Sequence, residues 1–204
     1  DEAQDYNKLQ YYIIKRIFKK ANYTILGDTN QTINPYYKYR SLEELKDIFN
    51  SSRYIKLTKT YRSTDKIIQY TNQILGLNYV TAIRNKKASD IIFRTDVKKE
   101  DFISDITNLQ TISKSIAIIT KNDEEAENIY NELKENFDIS LIDGYGHIKR
   151  DLVVVPSYVA KGLEFDSVIV YTELNNQYTE KDKYLYYVAC TRAQHNLLIY
   201  NRTI

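Results

Sequence analysis

The sequence predicts an α/β protein with a mostly parallel sheet covered by helices on both faces. Short β-rich runs alternate with helical segments along the 204 residues. Two of those runs, 152–155 and 167–171, are apolar without alternation, as strands buried on both faces are. With 43% apolar and 27% charged residues, the chain can bury one domain's core or slightly more.

The elements follow in order. Residues 9–20 read as a helix with Tyr12, Ile13, Ile17 and Phe18 on one face, and 23–27 as a strand ending in a turn. Ser41 caps a second helix, Glu44 completes a capping box, and Leu42, Leu45, Ile48 and Phe49 point inward. Residues 54–57 form a short strand. Ser63 or Thr64 then caps a helix to about Leu75, which Gly76 stops. Next come a strand at 91–94, a helix near 100–109, a strand at 116–120, a helix at 123–136 and a strand at 139–142. The two buried strands follow, then a helix at about 181–194 and a terminal strand at 196–200. The polar stretch 78–90 reads as a surface connection. The boundary expected between residues 50 and 54 divides the chain into 1–53, the tail of one α/β domain, and 54–204, a second.

Composition narrows function little. Lys and Arg total 29 against 27 Asp and Glu, and a formal charge of +2 argues for no nucleic-acid partner by itself. The single cysteine, Cys190, excludes an internal disulfide and reads as a small buried side chain on a helix. No apolar run approaches eighteen residues and no leader pattern is visible, so a soluble, cytoplasmic protein is expected. His147 and His195 are too far apart and too poorly accompanied for a metal site; a structural role is expected of both. With 20 Tyr among 204 residues, tyrosine is the default aromatic filler.

Several segments have the residue types that phosphoryl transfer needs: a metal ligand, a water-orienting carboxylate and cations for the γ-phosphate. Asp1-Glu2-Ala3-Gln4-Asp5 offers paired carboxylates, which otherwise sit on a solvated surface. Gly27-Asp28-Thr29-Asn30-Gln31 follows a strand, where ligand loops lie, or is an ordinary polar turn. Thr60-Tyr61-Arg62-Ser63 puts an arginine where a strand passes into a helix, facing an anion or paired on the surface. Lys161-Gly162-Leu163-Glu164-Phe165-Asp166 lies between the buried strands, with Gly162 permitting close backbone approach. On the last helix Arg192 shares a stripe with Leu185, Val188 and Ala189. Its head reaches a cleft and an anion, or its stem packs on the core with the head in solvent. The phosphate-cradling loop G-x-x-x-x-G-K-[ST] occurs nowhere in the sequence.

In order and spacing, D-E-A-Q-D, G-D-x-x-Q, T-Y-R-S, A-K-G-L-E-F-D and Y-V-A-C-T-R-A resemble the superfamily-one helicases of the UvrD/Rep type over nearly the whole chain. The resemblance implies a RecA-like, three-layer α/β/α fold of the P-loop NTPase kind, preceded by the tail of a first RecA-like domain. It also implies ATP and Mg2+ as cofactors and DNA as partner. Asp1 matches the magnesium ligand, Glu2 the catalytic base and Gln31 the γ-phosphate and water sensor. Tyr61 matches the adenine-stacking residue, Arg62 a γ-phosphate arginine, Gly162 and Glu164 the nucleotide-contacting part of the fifth motif, and Arg192 an arginine finger. Tyr36, Tyr37 and Tyr158 are the candidate nucleic-acid contacts. The chain departs from the family where T-x-H-x-A-K-G becomes Pro156-Ser157-Tyr158-Val159-Ala160-Lys161-Gly162, where Asn34 replaces a stacking aromatic, and where only about a hundred residues separate Arg62 from Lys161. These departures resemble the HelD (helicase IV-like) branch, some of whose members act on RNA polymerase. Three functions are therefore expected to compete: the C-terminal part of a DNA helicase motor, inactive alone without the phosphate loop and the first RecA-like domain; a factor that remodels RNA polymerase complexes; and a non-catalytic RecA-like module.

Overall fold

A computed structural model describes residues 1–34, 36–83, 89–142 and 151–202. The chain forms two compact units, Asp1–Leu57 and Thr58–Ile204.

The first unit is held by an aromatic core. Helix α1, Lys8–Ile17, starts at a capping box in which Asn7 accepts from the Gln10 amide and Gln10 bonds back. Its sequence-predicted apolar face is largely solvent-exposed: Tyr12, Ile13, Ile17 and Phe18 are all open, and Tyr11 is the buried ring. Tyr11 wins because it is the ring that both packs edge-on against Phe49, with centroids 6.2 Å apart, and finds an acceptor, donating to the Ala3 carbonyl at 3.0 Å. Burial pushes its phenol up to about 12. The second predicted helix is a 3-10 segment, Leu42–Asp47, with the Ser41–Glu44 capping box in place. Leu45 and Phe49 are buried, and Leu42 and Ile48 pack against them with Tyr11 and Tyr39.

Two predicted strands do not form. A strand needs a ladder, and the described main-chain bond from residues 23–27 to another segment is a single one, Ala3 N–H to the Leu26 carbonyl at 2.9 Å. Residues 54–57 are irregular, with Ile55 and Leu57 exposed. The ladder begins instead at β1, Lys59–Thr60, which pairs in parallel with β2, Thr81–Ala82.

The second unit carries the predicted architecture. After β1 come α2 (Asp65–Leu75), β2, β3 (Ile92–Thr95), α3 (Lys99–Ile112), β4 (Ile116–Thr120), α4 (Asp123–Leu133) and β5 (Ile139–Leu141). Then follow β6 (Leu152–Pro156), β7 (Phe165–Glu173), a 3-10 turn, α5 (Lys183–Thr191) and β8 (Ala193–Arg202). Six strands form one all-parallel sheet in the order β3-β8-β7-β4-β6-β5. Side-chain alternation divides the core into two layers. Ala117, Ile119, Val153, Val155, Val168 and Val170 face α2 and α5 through Ile67, Ala189 and Cys190. Ile116, Ile118, Leu152, Val154, Ile169 and Tyr171 face α3 and α4 through Phe102, Ile106, Ala126 and Ile129. The result is a three-layer α/β/α sandwich, and residues 152–155 of β6 and 167–171 of β7 are buried throughout, as their apolar runs predict.

Local chemistry fixes the ends. Gly76 ends α2 at φ +64°, a left-handed cap suited to glycine. At its start neither predicted cap operates: the Thr64 hydroxyl makes no capping bond, and Ser63 Oγ is drawn away to donate to the Ala193 carbonyl at 2.7 Å. Asn122 caps α4 by accepting from the Glu125 amide. The buried Glu125 carboxylate accepts from the Lys121 and Glu173 amides, both at 2.9 Å, tying α4 to the end of β7, and burial raises its pKa. Cys190 lies buried on α5 as expected, and desolvation pushes its thiol well up, which makes it an inert packing group.

Candidate nucleotide site

In the first unit, the acidic segment and the glycine turn are built against each other. Glu2 takes a left-handed backbone, φ 54°, uncommon without glycine, at the head of a 3-10 turn over Ala3–Asp5. Its carboxylate accepts from Gln4 Nε2 at 2.5 Å, and the Asp1 carboxylate accepts from the Glu2 amide at 2.8 Å. Buried Gln4 faces both ways: its Oε1 accepts from the Asp28 amide at 3.0 Å. Asp28 in turn caps the Thr29–Gln31 turn, accepting from the Asn30 amide at 2.9 Å and from Gln31 Nε2 at 3.0 Å. Glu2 and Gln31, both predicted site residues, are thus joined through Gln4 and Asp28. Neither linker was singled out from sequence, although both lie inside the motifs that were.

Gly27 is what lets these segments meet. A Cβ there would lie 2.6 Å from Gln4 Oε1 and 2.9 Å from the Ala3 main-chain nitrogen. Because one neighbour is backbone, the side chain cannot be absorbed by a rotamer change. Gly27→Ala is therefore expected to destabilise this unit by about 1–3 kcal/mol, the usual cost of overpacking. Chemical denaturation checks it, read by circular dichroism alongside wild type.

The remaining predicted nucleotide-site residues belong to the second unit, and strand register with two loop hydrogen bonds assembles them. Phe165 of β7 pairs with Ala193 of β8, and the Phe165 amide donates to the Arg192 carbonyl at 3.0 Å. The residues just before the pair, Glu164 and Arg192, are therefore neighbours at the amino ends of the strands. The Thr60–Ser63 segment is bolted to the same place, by Ser63 Oγ on the Ala193 carbonyl and the Thr64 amide on the Gln194 carbonyl at 3.1 Å. Arg62 Nη2 then meets Glu164 Oε1 at 2.7 Å, an ion pair at half-exposed side chains. Tyr61 next to it leaves its ring open, 68% exposed.

At Gly162 a Cβ would meet nothing within 4 Å, and the backbone lies at φ +81°, a conformation that favours glycine. One expectation changes here. Arg192 neither opens into a cleft nor holds its head in solvent. It is 1% exposed, and its guanidinium donates to the carbonyls of Val188 (3.0 Å) and Leu163 (3.2 Å) and to Thr191 Oγ1 (3.1 Å). As the residue that ends α5, it meets the helix's last carbonyls, which are natural acceptors for a cation.

The candidate nucleic-acid tyrosines divide. Tyr36 is 95% exposed, whereas Tyr37 stands edge-on to Tyr39, centroids 5.0 Å apart, inside the aromatic core of its unit. Tyr158 follows β6 and so lies at the carboxyl end of the sheet, opposite Arg62 and Arg192. Its hydroxyl donates to Asp123 in the first turn of α4, at 2.8 Å. His195 lies 3.8 Å from Asp166, and His147 falls outside the described residues. Among the described residues, no group of three or more His, Cys, Asp or Glu could hold a metal, and no helix is long and apolar enough to cross a membrane.

Residues 1–43 match the family model of the UvrD/REP helicase N-terminal domain. The ATP-dependent DNA helicase Rep of Buchnera aphidicola subsp. Baizongia pistaciae is 34% identical over 84 residues, 38% of this chain and 12% of that protein. A probable DNA helicase of Mycoplasma pneumoniae is 25% identical across 98% of this chain and 42% of its own length. The C-terminal domain of a possible DNA helicase from Lactobacillus plantarum WCFS1 superposes with a TM-score of 0.57 and 28% identity, covering 70% of this chain and 88% of that one. The chain is related to the UvrD-like superfamily-one helicases. The family-model match begins with the acidic segment. The chain spans less than half the length of either curated relative.

Proposed function

We propose that this chain is part of an ATP-dependent DNA helicase of the UvrD type. In this reading the first unit is the end of one RecA-like domain, the second unit is a whole second one, and the phosphate-gripping loop lies outside these 204 residues. One observation carries it: β7–β8 register sets Glu164 beside Arg192 at the amino ends of the two strands, and Ser63 and the Thr64 amide fix the Arg62 segment to the same place. Phosphoryl transfer is catalysed mainly by placing charge around the γ-phosphate, so two arginines carried by adjoining segments are the feature to weigh.

The residues take these roles. Asp1, with Glu2 beside it, fits Mg2+, which usually binds one or two carboxylates plus substrate phosphates and water and needs no all-protein cage. When bound with the nucleotide, Mg2+ would neutralise charge on the phosphate oxygens. Glu2, held by Gln4, orients the attacking water and takes its proton; Gln31, held by Asp28, faces the γ-phosphate. Tyr61 offers an open ring to the adenine, and Gly162 and Glu164 shape the nucleotide-facing turn. Arg62 is already presented to an anion. Arg192 serves as a finger only after its guanidinium leaves the Val188 and Leu163 carbonyls, so its engagement is coupled to a local rearrangement. Tyr36 is the open ring for stacking on a single-stranded base.

The test is ATP hydrolysis by the polypeptide that carries this chain with a G-x-x-x-x-G-K-[ST] loop, with and without single-stranded DNA. Mg2+-dependent turnover stimulated by DNA is expected, with little turnover from the 204 residues alone. Absence of nucleotide binding would favour a non-catalytic module instead, and turnover stimulated only by RNA polymerase would favour a remodelling factor.

A further inference from the structure

Gln194, the second residue of β8, touches the candidate site without belonging to its motif-derived set. Its Nε2 donates to Glu164 Oε2 at 2.8 Å, while the other carboxylate oxygen, Oε1, meets Arg62 Nη2 at 2.7 Å. One carboxylate is divided between an amide and a guanidinium. An arginine facing a free carboxylate tends to pair through two parallel N–H···O bonds, a stronger and more rigid arrangement. The Gln194 amide competes for Oε2, and the Arg62 contact is made at Oε1. Both partners of that pair are partly solvated, at 44% and 35% side-chain exposure, so a one-point pair is weak and easily exchanged for a phosphate.

We propose that Gln194 is a positioning residue: it holds Glu164 so that Arg62 stays loosely paired and available to the terminal phosphate of a nucleoside triphosphate. The inference rests on the nucleotide reading above and adds to it a residue that sets how readily the arginine is released. The substitution needed to test it spares the scaffold. The Ala193 and Gln194 carbonyls that anchor Ser63 and Thr64 are main-chain groups, unaffected by the Gln194 side chain.

The experiment measures binding of a non-hydrolysable ATP analogue and of ADP to the full polypeptide. Gln194→Met keeps the side-chain length and removes the donor. It is expected to weaken triphosphate binding about 3–10-fold, the scale of one charge-assisted contact in partly solvated surroundings, and to leave ADP binding unchanged. Gln194→Lys, which restores a donor toward Oε2, is expected to bind the triphosphate like wild type. In an E164Q background, Gln194→Met is expected to have no further effect, because the neutral amide no longer clamps Arg62. Unchanged triphosphate binding in Gln194→Met overturns the inference, as does equal weakening of ADP and triphosphate, the mark of a purely structural role. A wild-type protein that binds neither nucleotide overturns the nucleotide reading itself, and that result appears before any variant is made.

Discussion

Arg192→Ala is expected to lower the stability of the second unit by about 2–4 kcal/mol, apart from any effect on turnover. The guanidinium is fully buried and is the donor for the Leu163 carbonyl and for the Val188 carbonyl at the end of α5. Alanine removes the stem, leaving a cavity between α5 and the β7–β8 edge, and leaves those acceptors without their cationic donor. An acceptor stranded in a buried site costs about 1–3 kcal/mol, and the lost packing adds to it. The gain from no longer desolvating a cation offsets part of this, which keeps the total near the middle of that sum. For a domain of this size the loss corresponds to a fall in melting temperature of roughly 5–15 °C. Differential scanning calorimetry with urea titration reads it directly. A melting temperature within about 2 °C of wild type would mean that the guanidinium spends little time on those carbonyls and is already free to face an anion.

The second unit was legible in the sequence because its signals are local. Parallel central strands announce themselves as unbroken apolar runs, and residues 116–120 and 152–155 coincide with the strands that are buried throughout. Gly76 announces the end of α2 because only a left-handed residue fits there. The first unit was less legible because its structure depends on partners that periodicity does not reveal. Residues 23–27 have strand composition but no ladder among the described residues, and α1 buries Tyr11, whose hydroxyl has an acceptor, while exposing the aliphatic stripe. At the candidate site the motifs named segments but not their mutual arrangement. Glu164 and Arg192 become neighbours only through the Phe165–Ala193 register, which no spacing in the sequence encodes. The direction of Arg192 was equally hidden, since a helical stripe says which face a residue occupies and not which carbonyls its head will find. Gln194 and Gln4 escaped notice because an amide signals nothing until its two ends are placed.

Arg62→Ala is expected to reduce ATP turnover by about 10²–10³-fold while changing stability by less than about 1 kcal/mol. The stability half follows from the surroundings. Arg62 makes one ion pair at a half-exposed position, its loop is anchored by Ser63 and the Thr64 amide, and an exposed pair contributes little to folding. The catalytic half follows from the proposed chemistry. Charge builds on the γ-phosphate oxygens as the bond to the leaving group lengthens, and a guanidinium that has exchanged Glu164 for the phosphate stabilises it. Arg62→Lys should recover only part of the loss, because an ammonium is a point charge without the planar fork. Thermal melting beside steady-state hydrolysis separates the two arginines: Arg192→Ala should lose stability, whereas Arg62→Ala should keep it while losing turnover. If Arg62→Ala hydrolyses ATP at the wild-type rate, the Arg62–Glu164 pair is a surface bridge of the fold and the cation facing the phosphate must be sought elsewhere.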